Sequence, residues 1–190
     1  MKTFAIITAV LATAVTAVDL HLQNWGGCND QGGGWVCYGI NPNTCCSVNA
    51  GTFFASVSFR AIPHEWNLQC RGHAGPNCGS IREQQDSGGR DYVCLGNGPF
   101  GGSGYGFNNR KMVRGVTSAL AARGADGQES TGCVAPDLMY LADGTQYNYT
   151  AIVEAKLPTE ELVALNKAGA SAADIPESFA TFQLAEKRKL

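Results

Sequence analysis

Gly32-Gly33-Gly34-Trp35-Val36-Cys37-Tyr38, followed by Asn41-Pro42-Asn43 and the adjacent pair Cys45-Cys46, is the stretch on which the fold turns. A short run of aromatic and β-branched residues stands between glycine and Asn-Pro signals, the pattern of a strand bounded by tight turns. The same pattern continues outward. Val18, Leu20 and Leu22 alternate with Asp19, His21 and Gln23, which is the period of a half-buried strand. Thr52 to Arg60 puts Phe53, Ala55, Val57 and Phe59 on one face, Trp66-Asn67-Leu68-Gln69-Cys70 alternates again, and Asp91 to Leu95 follows the Ser87-Gly88-Gly89 turn. Short strands about ten residues apart, with glycine turns between them, predict an α+β chain that is mainly β. The expected form is a small antiparallel sandwich, of Greek-key type where the connections allow it.

The cysteines say what holds such a sandwich. Seven of the eight, Cys28, Cys37, Cys45, Cys46, Cys70, Cys78 and Cys94, lie in this segment, and Cys133 makes the number even. In an exported chain they are expected to form four disulfides. Their connectivity is open, except that neighbours Cys45 and Cys46 must bond to different partners, because a disulfide needs its α-carbons about 4.4–6.8 Å apart. Export is read from the start of the chain: Met1-Lys2, an apolar run from Phe4 to Val15, and Val15-Thr16-Ala17 have the form of a secretory signal peptide over residues 1–17. The run is shorter than the roughly 20 residues that span a bilayer. The expected protein is therefore secreted, extracellular and monomeric, with a stapled β-rich domain over 18–153.

Beyond Asn109 the character changes. Met112, Val116 and Leu120 recur at helical spacing, and Asp143-Gly144 predicts a two-residue hairpin between Leu138–Leu141 and Thr145–Val153. Residues 154–190 form a helical C-terminal segment: Pro158 to Ala168 carries Glu160 and Glu161 in its first turn, and Asp174 with Glu177 resembles a capping box before Ile175, Phe179 and Phe182. Asn148-Tyr149-Thr150 is an N-glycosylation sequon.

Several chemistries are excluded. With 14 basic against 16 acidic residues and a net charge of −2, the chain lacks the excess that general nucleic-acid binding needs. From Arg60 to Arg123 basic residues outnumber acidic ones, eight to four. Gly96-Asn97-Gly98-Pro99-Phe100-Gly101 matches G-x-G-x-x-G, but Pro99 removes an amide donor and more glycine follows, so no dinucleotide loop is expected. Neither a cofactor nor a metal site is expected, since cysteines in bridges are not thiolate ligands. His64 with Glu65, and His73 beyond the Trp66 strand, make the one acid–base set for a small secreted hydrolase, while His21 lies near the expected mature start. No catalytic motif joins them, and a non-enzymatic protein is expected.

Three resemblances bear on function. The rhythm of Ala55 to Phe59, Trp66-Asn67-Leu68 and the Cys78-Gly79 turn is distantly similar to the Greek-key repeats of βγ-crystallin-type domains. Asn29 to Gly33 and Asn108 to Met112 lack the hydroxyl residue of that family's calcium runs, so no calcium site is carried over. Cys28, Cys37 and Cys45-Cys46-Ser47 resemble the first half of a hevein-like chitin-binding module, whose aromatics stack on sugars; this implies a platform of Trp25, Trp35 and Tyr38. Val48 to Thr52 departs from the run that completes that module. As a whole the chain resembles the fungal small secreted cysteine-rich proteins, some of which are effectors or toxins. The expected function is thus extracellular binding, with a protein or a cell-wall polysaccharide such as chitin or glucan as partner.

Overall fold

The computed structural model describes residues 17–48, 51–76, 78–108, 132–186, 188 and 190. The expected signal peptide and the helix around Met112 to Leu120 lie outside them. Two sheets face each other. The first has six strands in the order β11-β10-β2-β1-β4-β7, and the second has five in the order β6-β5-β8-β3-β9. In chain order these are β1 (Val18–Gln23), β2 (Gly34–Ile40), β3 (Thr44–Cys46), β4 (Ser56–Arg60), β5 (Leu68–His73), β6 (Ile81–Asp86), β7 (Val93–Leu95), β8 (Gly102–Phe107), β9 (Gly132–Val134), β10 (Leu138–Tyr140) and β11 (Gln146–Asn148). Every pairing is antiparallel except β3 with β9, and the sheets do not close into a barrel.

The core lies between the sheets. Val18, Leu20, Leu22, Trp35, Val57, Phe59, Val93, Leu95 and Met139 from the first meet Cys46, Leu68, Cys70 and Tyr105 from the second. Cys37–Cys46 bridges β2 to β3 and so ties one sheet to the other, and Cys45–Cys78 binds β3 to the turn before β6. Cys28–Cys94 fastens the β1–β2 loop to β7. Each such bond stabilises by roughly 2–4 kcal/mol. Cys45 and Cys46 do take different partners. Cys70 does not take the expected bridge: it is a buried thiol whose pKa burial raises to about 12. The remaining cysteine, Cys133, sits on β9, three strands from β5, and at about 4.8 Å per strand that is beyond disulfide reach of Cys70.

Strand β8 is not among the expected strands, and every second residue in it is glycine. The structure gives the reason. A Cβ at Gly102 would stand 2.7 Å from the Cys46 carbonyl and the Cys78 sulfur, one at Gly104 2.9 Å from the Thr44 carbonyl, and one at Gly106 2.8 Å from the Arg71 guanidinium. The opposite face of the strand carries Ser103 and the buried Tyr105, whose hydroxyl donates to the Ile40 carbonyl at 2.6 Å. Strand β6 was also missed: Arg82 to Asp86 are polar throughout, as suits an edge strand that must not recruit another chain.

Three expectations change at the C-terminal side. Gly144, at φ 78°, closes a longer turn than the two-residue hairpin expected, with Leu141 donating to the Thr145 carbonyl at 2.8 Å. Chain pairing then stops at Asn148, whose side-chain oxygen accepts from Ala151 N–H at 3.1 Å and starts helix α1 (Tyr149–Glu154), so the strand does not run on to Val153. Helix α2 (Thr159–Lys167) forms as expected, but the segment after it makes two 3-10 turns, Ala172–Asp174 and Glu177–Phe182, in place of a second α-helix. Ile152, Leu162 and Phe179 are fully buried in the main core, so these helices are docked on the sandwich.

Substituting Gly104→Ala should destabilise the protein by about 1–3 kcal/mol in urea unfolding, the range for overpacking. Gly132→Ala, whose Cβ meets nothing within 4 Å, should stay within about 0.5 kcal/mol of wild type. Equal stability of the two variants would contradict the close strand approach at β8.

Candidate functional site

The site is built by the loop from Asn24 to Gly33. It leaves β1, turns through Cys28 at φ 55° and a 3-10 turn at Asp30–Gly32, and re-enters as β2. Its path lies over the face of the first sheet that points away from the core, and five contacts hold it there. Cys28 is bonded to Cys94, and its N–H donates to the Ser56 hydroxyl at 2.9 Å; that hydroxyl donates to the Trp25 carbonyl at 2.5 Å. Asp30 receives Arg60 on both carboxylate oxygens, at 2.9 and 2.8 Å, and accepts from the Tyr140 hydroxyl at 3.2 Å. Burial, and then the Asp30 carboxylate, push the Tyr140 pKa up. Below this pair, Gln23 and Ser58 share a hydrogen bond of 2.7 Å.

The loop so held presents Trp25. Its indole lies flat on Gly32, where a Cβ would sit 2.4 Å from the ring, and the residue is 52% exposed. Trp25 stands between two residues that line an open groove of about 440 Å³, Asn24 and Gly26; Phe53 and Phe54, Gly98 with Pro99, and Lys167 complete its walls. Phe53 is 39% exposed, whereas Phe54 is buried and meets Trp35 edge-on at 5.5 Å. The volume falls in the range of roughly 300–1,000 Å³ usual for small-molecule sites. Lys167, in the last turn of α2, is an exposed residue, but its ammonium donates to the Phe53 carbonyl and lies 5.2 Å from the Phe54 ring centre. Lost hydration there lowers its pKa. Asn166 fixes the helix to the loop: its amide donates to the Tyr140 carbonyl at 2.8 Å and accepts from Asn24 at 2.6 Å.

The three aromatics expected to make a platform do not stand together. Trp35 is fully buried in the core and has no face to offer. Tyr38 lies toward the far end of β2 under Arg188, whose guanidinium is 5.5 Å from its ring. Trp25 alone of the three is a large exposed hydrophobic, and Phe53, which the alternation of β4 placed on the core face, is the aromatic that joins the groove. The alternation failed there because the chain bends at Ala55, and Phe54 takes the inward position by pairing with Phe100.

The acid–base set is likewise dispersed. His64 precedes β5, with Nδ1 2.9 Å from the Gly89 carbonyl; His73 ends that strand, buried, with Nδ1 2.7 Å from the Gly79 carbonyl. Arg82 and Arg90, part of the basic stretch, are bound to the carbonyls of Asn97, Gly98, Ser87 and Asp86. Asn148 is half-buried, with its oxygen engaged as the α1 cap. Among the described residues no group of three or more His, Cys, Asp and Glu is placed to hold a metal, and no helix is long and apolar enough to cross a membrane.

A sequence model of the ARB_05566_N family, an N-terminal domain, matches residues 19–137, more than half of the chain. The chain belongs to the ARB_05566_N family. No curated protein and no solved structure matches it. The part of the chain matched as the family domain includes Trp25, Asp30, Phe53 and Arg60 and ends just before β10, so Tyr140, Asn166 and Lys167 come to the site from outside it.

His21, on the same outer face, is 2% exposed, and its Nδ1 has no partner among the described residues. Burial, followed by the nearby Arg60 and opposed by Asp30, lowers its pKa from 6.5 to about 3. Between those values the unfolded chain binds a proton that the folded chain refuses, so stability falls as pH falls through this window. Urea unfolding from pH 7 to pH 4 should show the wild type losing about 3 kcal/mol more than His21→Leu; parallel pH profiles would contradict a neutral buried imidazole.

Proposed function

We propose that this protein is a secreted, non-enzymatic binding protein that takes a cell-wall polysaccharide in the groove beside Trp25. The observation that carries the reading is a groove lined by the exposed Phe53, with the exposed Trp25 on the adjoining loop between two further lining residues, Asn24 and Gly26. A soluble protein gains nothing by holding two large apolar side chains in water at a concave site unless a ligand covers them. A saccharide suits the site because it pairs apolar ring faces with hydroxyls. Three disulfides support an extracellular setting, and the small secreted cysteine-rich class, effector-like in action, accommodates a binding role. The dispersal of His64 and His73 weighs against a hydrolase using them.

Pull-down of the oxidised protein on chitin, β-glucan, cellulose and pectate should show retention on at least one polymer. Trp25→Ala and Phe53→Ala should each weaken that retention about tenfold, a loss of about 1.4 kcal/mol, with Tyr38→Ala unchanged. Retention on none of the four, or retention indifferent to both substitutions, would remove the reading.

A further inference from the structure

Resting on that reading, we infer that the groove selects an anionic saccharide, one whose sugar rings carry carboxylates, and that the C-terminal segment sets this preference through Lys167. The groove is lined by one charged residue, and it is a cation. Its ammonium is held over Phe54 and against the Phe53 carbonyl, and no carboxylate lies within ion-pair distance of it among the described residues. The loop's own carboxylate, Asp30, is paired with Arg60. An ammonium has three donors; one is spent on Phe53, which leaves donors for a ligand.

The placement of Lys167 is built in. Asn166, 1% exposed and bonded to both Asn24 and the Tyr140 carbonyl, fixes the last turn of α2 against the loop that carries Trp25. Lys167 is therefore held at the groove by its neighbour in the chain. A single point charge is suited to one carboxylate per site; a sulfate ester, with three terminal oxygens, would call for a denser set of donors than the lining residues supply. The aromatics would take the sugar face and Lys167 the acid group, so the two contributions are separable. Because α2 lies beyond the residues matched to the family, the cation belongs to the appended segment and not to the matched domain.

The test is calorimetric titration of the full chain with oligogalacturonate, with the same oligomer after reduction of its carboxyl groups, and with a sulfated oligosaccharide of equal length. The expected result is about tenfold tighter binding of oligogalacturonate than of its reduced form. That advantage should be lost in Lys167→Gln, kept in Lys167→Arg, and unaffected by Lys156→Gln, which removes a charge elsewhere; unchanged melting temperatures check that the variants are folded. Equal binding of the charged and reduced oligomers, unaltered by Lys167→Gln, would overturn this inference and leave the saccharide reading standing. Preference for the sulfated ligand would overturn the carboxylate assignment, and binding of none of the three would overturn both.

Discussion

Asp30 is the point from which the outer surface of the first sheet is organised. An exposed ion pair is ordinarily worth no more than about 1 kcal/mol, and Arg60 and Asp30 are 20% and 29% exposed. What makes this pair consequential is geometry. Asp30 is on the loop, Arg60 ends β4 and Tyr140 ends β10, so one carboxylate joins three parts of the chain that are distant in sequence. With Cys28–Cys94 fixing the other side of the loop, the backbone around Trp25 has little freedom. The charge pair orients and the disulfide restrains, which is a division of labour that neither would achieve alone.

The consequence is a sheet covered on both faces. Antiparallel sheets commonly leave one face to water, yet here His21, Gln23, Ser56 and Ser58, on the outer side of β1 and β4, are all buried. The loop covers one part, and the chain after α2 covers another: Gln183 bridges to Tyr147, Arg188 and Gln146 exchange hydrogen bonds, and Leu184 and Leu190 pack on Val36, Leu138 and Tyr140. A polar layer is tolerable under that cover because most of its members have partners. The core side and the cover side are thus held by different physics, apolar packing within and a hydrogen-bonded network without.

Much of the fold was legible because it follows periodicity. The alternation of Val18 to Gln23, the aromatic run at Trp35, the Pro158 helix and the separate partners of Cys45 and Cys46 all follow from local rules. The misses have a common cause, which is that the decisive neighbour lies far away in sequence. Gly102, Gly104 and Gly106 look like a loop until the Thr44 and Cys46 carbonyls and Arg71 are seen against them. Trp35 looks like a sugar platform until Phe54 and the second sheet enclose it. Phe53 looks like core until the bend at Ala55 turns it outward. Lys167 gave no signal at all, because nothing in Asn166-Lys167 says that the helix end reaches the groove beside Trp25.

The account's central claim is that ligand binding is read at one indole of three. Trp25 is exposed on the loop, Trp35 is enclosed, and Trp66 packs edge-on against Phe107 at 5.1 Å on the β5–β8 side. Nitrogen-15 labelling of the tryptophan indoles, followed through a titration with the saccharide that the protein retains, separates them directly. The account predicts that the Trp25 indole resonance shifts with ligand while those of Trp35 and Trp66 hold their positions. Saturating binding with the Trp25 resonance unmoved, or with the main shift at Trp66, would contradict it.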